Sequence, residues 1–160
     1  MIAENLVEVR ERISRAIQKS GREPQSARLI TVSKQISVDR IEEARAAGAV
    51  VFAENKIQEA IPKIEQVGAE GISWHFIGHL QKNKIKFLDE RFDLIHSVDS
   101  FELAEKIAKH YHSENRVQRI LLQVNVSGEA AKFGMEPKEL EKQMAEFFQL
   151  QGIQVEGLMT

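Results

Sequence analysis

Apolar residues recur every three or four positions at the start of the chain: Ile2, Leu6, Val9, Ile13 and Ile17. That stripe predicts an amphipathic helix, ended by Gly21 with Pro24 beyond it. After it, short apolar runs alternate with helical periodicity. "RLITVS" (28–33) predicts a first strand. A helix follows over 38–47, with Ser37 as cap, Asp39 at its positive end and Gly48 at its C-terminal turn. "AVVFA" (49–53) predicts a second strand. "NKIQEAIPKIEQVG" (55–68) predicts a helix capped by Asn55, with Pro62 kinking or breaking it near Ala60–Ile61. "SWHFIG" (73–78) is the third strand, followed by the basic segment "LQKNKIKFL", and "DLIHSV" (93–98) is the fourth. Asp99 and Glu102 have capping-box spacing and open a helix through His110. "RILLQVNV" (119–126) is the fifth strand. Pro137 opens a helix carrying Leu140, Met144, Phe147 and Leu150, closed by Gly152, and "IQVEGLM" (153–159) is the sixth strand.

Strand–helix alternation with short connections predicts an α/β fold with a parallel sheet and helices outside it. Two architectures satisfy six strands: an open doubly wound sheet, or an eight-stranded barrel left incomplete. Periodicity does not choose between them. The length, 160 residues, predicts one domain, and 42% hydrophobic residues suffice for its core. A net charge of −2 disfavours a dedicated nucleic-acid binder. The chain has no cysteine, so it has no disulfide framework and no thiolate metal site, which is compatible with a reducing cytosol. No apolar run reaches the ~20 residues that span a bilayer, and the charged N-terminus does not read as a signal peptide.

In both architectures, function gathers where strands end and the next loops begin. Those ends are Lys34, Glu54–Asn55, Gly78–His79, Ser97–Asp99, Asn125–Ser127 and Met159–Thr160. Lys34 is the most informative. It follows Ile30 and Val32 on one side of the predicted strand, which would aim it into the core. Desolvation there favours the neutral amine, a nucleophile that forms Schiff bases with aldehydes. The simpler alternative is a lysine that reaches solvent along its stem.

Asn55 and Gln58 have helix-cap spacing, and a helix start at this edge also suits a polar or anionic ligand. His75 and His79 lie ~13 Å apart on an extended strand, too far for a chelate unless the chain turns at Gly78. With no acidic partner at a familiar spacing, no metal site is expected, and His79 reads as a loop donor near a ligand. Lys82, Lys84 and Lys86 read as a solvated basic face. "NVSGEAAKFG" (125–134) is a polar loop, either a lid or an ordinary connection.

Taken in order, "LITVSK", "FAENKIQE", "WHFIGHLQKNK", "HSVDS", "NVSGEAAKFG" and "VEGLMT" resemble the pyridoxal 5′-phosphate (PLP) homeostasis proteins, themselves similar to the N-terminal barrel of alanine racemase. The resemblance covers nearly the whole chain. It implies a (β/α)8 TIM-type barrel of the alanine-racemase N-terminal kind, incomplete here with six of eight strands. It also implies a single PLP-binding domain over 1–160, truncated before the last two βα units, which would carry the phosphate cup and a pyridine-facing arginine. Carried over by position, Lys34 is the Schiff-base lysine. Asn55 matches the asparagine of the family's "GEN" segment, His79 borders the same pocket, and Met159 matches the "GLM" of the sixth strand. The chain departs from the family pattern at Ala53, usually glycine, and at Lys56, usually aromatic.

The resemblance implies a cytoplasmic, non-catalytic carrier of PLP whose partners include PLP-dependent apoenzymes. The net charge and the lack of a long apolar run leave no nucleic-acid or membrane partner expected; a monomer is expected when complete, with self-association through the open edges of strands one and six if truncated. Two alternatives remain on the residues: a PLP-dependent amino-acid racemase, which needs a second acid/base group opposite the lysine, and an open α/β binding module without PLP.

Overall fold

The computed structural model describes residues 1–129 and 133–160. Helix α1 (Ile2–Lys19) precedes β1 (Thr31–Val32), α2 (Val38–Ala46), β2 (Val51–Glu54), α3 (Ile57–Val67) and β3 (Ser73–Phe76). A 3-10 turn (Lys82–Phe87), β4 (Leu94–Val98), α4 (Phe101–Ser113), β5 (Gln118–Gln123), α5 (Pro137–Phe147) and β6 (Ile153–Met159) complete the described order. The strands form one parallel sheet in the order β1-β2-β3-β4-β5-β6. A doubly wound sheet reverses direction at a switch point; this one never does. Right-handed crossovers in one direction put every connecting helix on the same face. The sheet is therefore the wall of a barrel, with β1 and β6 each paired on one side only.

The main core lies between the helices and the convex face of this wall. Phe52, Trp74, Phe76, Ile95, Ile120 and Leu122 pack there against side chains of the helical layer such as Ile41, Ile64, Ile107 and Phe147. The Phe52 and Trp74 rings sit 5.4 Å apart across neighbouring strands. Each such side chain contributes about 1.5–3 kcal/mol by leaving water. Among the described residues, no helix is long and apolar enough to cross a membrane.

The structure corrects several expectations. β1 holds only two residues, Val32 is 45% exposed, and Lys34 is exposed rather than enclosed by the core. An edge strand with one neighbour gives a lysine at its end no second wall. Ser37 and Asn55 make no side-chain cap bond; α3 begins after Lys56. At α4 the cap is Ser100, whose Oγ accepts the Leu103 N–H at 3.3 Å, which leaves Asp99 free for another partner. Helix α3 runs through Pro62 without a break. The carbonyl that proline leaves unmatched belongs to Gln58, an exposed residue of the first turn. The polar loop over 125–134 includes residues 130–132, which lie outside those described. Its first part is organised by Asn125 Oδ1, which accepts from Ser127 Oγ and the Gly128 N–H.

Candidate functional site

Alternation along the strands decides which side chains reach the concave face. Ser33 and Glu54 point to the helical layer, where Ser33 Oγ donates to Glu54 Oε1 at 2.7 Å and Lys63 Nζ of α3 donates to the same oxygen at 2.8 Å. Their successors Lys34 and Asn55 leave the sheet at its C-terminal edge on the other side. Lys34 Nζ makes no hydrogen bond or ion pair with any described residue. The chain turns at once after it: the Ile36 N–H donates to Ser33 O, and Gln35 takes a φ of 60°.

Asn55 and Gly78 are in direct contact. A Cβ at Gly78 would overlap the backbone carbonyl of Asn55, so only glycine allows the two strand ends to approach this closely. Ser97 Oγ donates to Gly78 O and ties the end of β4 to the same point. The next residue, His79, donates to Asp99 Oδ2 from Nδ1 at 3.2 Å and stacks on Phe133 at 4.0 Å between centroids. Asn55, Gln58, His79 and Lys84 line one cleft of about 220 Å³, and Gln123, Asn125, Phe133 and Met159 another of about 410 Å³. The edge thus brings Asn55 and His79 together, with Met159 in the neighbouring cleft across the His79–Phe133 stack. Lys34 lines neither. The basic run is held locally: Lys82 pairs with Glu102, and Lys84 and Lys86 lie over the Phe87 ring at 5.6 and 5.1 Å.

His75 belongs to a different place. It is buried inside the barrel wall, where its Nε2 is 3.0 Å from Ser73 Oγ and its Nδ1 is 2.9 Å from His96 Nε2. Burial first, then the neighbouring His96, pushes His75 down to about 4, and burial lowers His96 as well. Among the described residues, no group of three or more potential ligands could hold a metal ion. Sequence reasoning missed two constellations, His75–His96 and Ser33–Glu54–Lys63. The only advance signal of the second was a glutamate closing an otherwise apolar strand.

Residues 5–160 match the family described as alanine racemase, N-terminal domain. A pyridoxal phosphate homeostasis protein of Aquifex aeolicus is 40% identical over 157 residues, covering 98% of this chain and 69% of that protein. A protein of the same name from Escherichia coli K12 is 37% identical over 162 residues, covering 99% of this chain and 69% of its own length. Among solved structures, PipY of Synechococcus elongatus PCC7942 with PLP bound superposes with a TM-score of 0.83 at 37% identity, covering 99% of this chain and 69% of PipY. The chain belongs to the alanine racemase N-terminal domain family and, within it, to the pyridoxal phosphate homeostasis proteins.

Proposed function

We propose that this chain binds PLP covalently through Lys34 and serves cofactor homeostasis rather than catalysis. The observation that carries the reading is the Lys34 amine, without a hydrogen-bond or ion-pair partner among the described residues, at the C-terminal edge of a barrel wall that superposes on PLP-bound PipY. When bound, PLP supplies an aldehyde carbon that an amine can attack and a ring that withdraws electrons. The residues present fit it. Lys34 would hold it: its amine is the nucleophile an aldehyde would take up, in a condensation that would release one water and need no redox partner. The Asn55 carboxamide offers a donor and an acceptor beside the Gly78 contact, and His79 presents an imidazole held in orientation by Asp99. Met159 adds an apolar side chain on β6.

The non-catalytic reading has support in the same geometry. A racemase needs a second acid/base group facing the lysine, and the titratable pair His79 and Asp99 lines clefts of this edge that Lys34 does not line. We place its activity in the cytoplasm, with PLP-dependent apoenzymes as recipients of the cofactor. The test is borohydride reduction of the PLP-titrated full chain, followed by peptide mass spectrometry. A single adduct at Lys34, lost in Lys34→Ala, is expected. An adduct of equal stoichiometry in Lys34→Ala would overturn the assignment.

A further inference from the structure

The residue before Lys34 is held more tightly than its position just past the end of a two-residue edge strand requires. Ser33 is 2% exposed, and every polar atom it has is engaged. Its N–H donates to Ala53 O at 3.0 Å and its Oγ to Glu54 Oε1 at 2.7 Å. Its carbonyl accepts from Lys63 Nζ at 2.8 Å and from the Ile36 N–H at 3.0 Å. Lys63 Nζ also donates to Glu54 Oε1 at 2.8 Å, so one ammonium joins the strand end to the carboxylate.

This pair is costly to bury. The Glu54 side chain is fully buried, and its Oε2 accepts no hydrogen bond among the described residues; the Lys63 side chain is 14% exposed. Apolar residues of similar volume are often as stabilising as a buried ion pair, so stability does not account for this one. What the pair does supply is geometry. It fixes the peptide between Ser33 and Lys34, together with the turn in which Gln35 adopts a φ of 60°, conformations that neither β1 nor the turn residues select on their own.

We propose that Glu54 and Lys63 are positioning residues that act through Ser33 to aim the Lys34 amine. The proposal rests on the reading of Lys34 as the PLP-bearing residue. Lys63 reaches through from α3, so the helical layer sets the direction of a side chain on the opposite face of the wall. Near-attack positioning is steep: displacement by about 1 Å can cost on the order of 100-fold in rate.

The test uses the full chain as wild type, Glu54→Gln, Lys63→Met, Lys63→Arg and Lys34→Ala. The rate of borohydride-fixed labelling of Lys34 by PLP is measured by peptide mass spectrometry under conditions where each variant is folded. Glu54→Gln and Lys63→Met should each slow labelling by about 10-fold or more, and Lys63→Arg should restore most of it. A role confined to stability would leave the rate in the folded variants unchanged. Amide hydrogen exchange supplies a readout without cofactor: the Ile36 amide should exchange about 100-fold more slowly than those of Lys34 and Gln35, and should lose that protection in Lys63→Met. Wild-type labelling rates in both Glu54→Gln and Lys63→Met, with labelling abolished in Lys34→Ala, would refute the positioning role and leave the Lys34 assignment standing. Labelling that persists in Lys34→Ala would refute the assignment. Failure of a charge-removing variant to fold would leave wild-type exchange decisive, and an unprotected Ile36 amide there would refute the clamp.

Discussion

Acidification should destabilise this chain through two imidazoles that the active edge does not use. His75 and His96 are 4% and 8% exposed and share the 2.9 Å hydrogen bond between their rings. That bond needs one ring to donate and the other to accept, so it survives only while the accepting ring is neutral. The groups that face the pair do not cancel the cost of charging it. Asp93 favours protonation of His75, whereas Arg28 and Arg119 oppose it, and Arg119 is itself paired with Glu156 at 2.5 Å. His75 therefore falls from its ordinary value of 6.5 to about 4 in the fold. Because the folded value is depressed, the unfolded chain takes up this proton first. The contribution is fully present above about 6.5 and is lost as the pH falls towards about 4. Its magnitude is about 3 kcal/mol from His75 alone, a large part of the ~5–15 kcal/mol that keeps domains folded. Urea unfolding at pH 7.5, 6.5, 5.5 and 4.5 measures it, with His75→Gln as the non-titrating reference that separates this loss from ordinary carboxylate protonation. The wild type should lose about 2–3 kcal/mol more than the variant across that window. Parallel losses in the two proteins would refute the assignment of the acid sensitivity to His75.

Two further substitutions test the packing of the fold. Gly78→Ala places a Cβ in the Asn55 carbonyl and should cost about 3 kcal/mol, lowering the melting temperature by roughly 6–12 °C; a variant that melts with the wild type would show that the two strand ends yield. Tyr111→Phe removes a buried hydroxyl that has no hydrogen-bond partner among the described residues and whose ionisation burial pushes up. It should leave urea stability unchanged or raise it, and a loss of more than about 1 kcal/mol would reveal a partner for the hydroxyl.

The alternation of apolar runs located all six strands, and for β6 it found the ends as well. It did so because a strand covered by helices on one face and enclosed on the other must be apolar nearly throughout, as "VFAE" and "LIHSV" are in burial. Strand order was not legible. Both barrels and doubly wound sheets use the same local pattern, and only the unreversed order of the neighbours separates them. The caps were legible only to within a residue: Ser37 does stand at the N-cap of α2 but makes no side-chain bond, the N-cap of α3 is Lys56, one residue beyond Asn55, and at α4 the serine after Asp99 took the role.

Of the site, the sequence exposed what sits at strand ends and concealed what pairs across strands. Lys34 was visible because a charge interrupts an apolar run. Its exposure was not legible, since six residues predict an enclosed strand while only two form, on an edge with a single neighbour. Glu54 and Lys63 are nine residues apart, which on a single helix would place them out of contact, and Ser33 lies thirty residues before Lys63. They meet because the register Val32↔Ala53 brings Ser33 beside Glu54 and because α3 folds back over β2. The same holds for His75 and His96, which are joined by the pairing of β3 with β4 and not by spacing. A lysine at a strand end can thus be nominated from sequence alone, but the carboxylate and ammonium that fix its backbone are set by register. A substitution at Lys63, on the far side of the wall, should consequently change the reactivity of Lys34 more than one at Lys56, which is exposed and, among the described residues, pairs only with Glu59 in the first turn of α3.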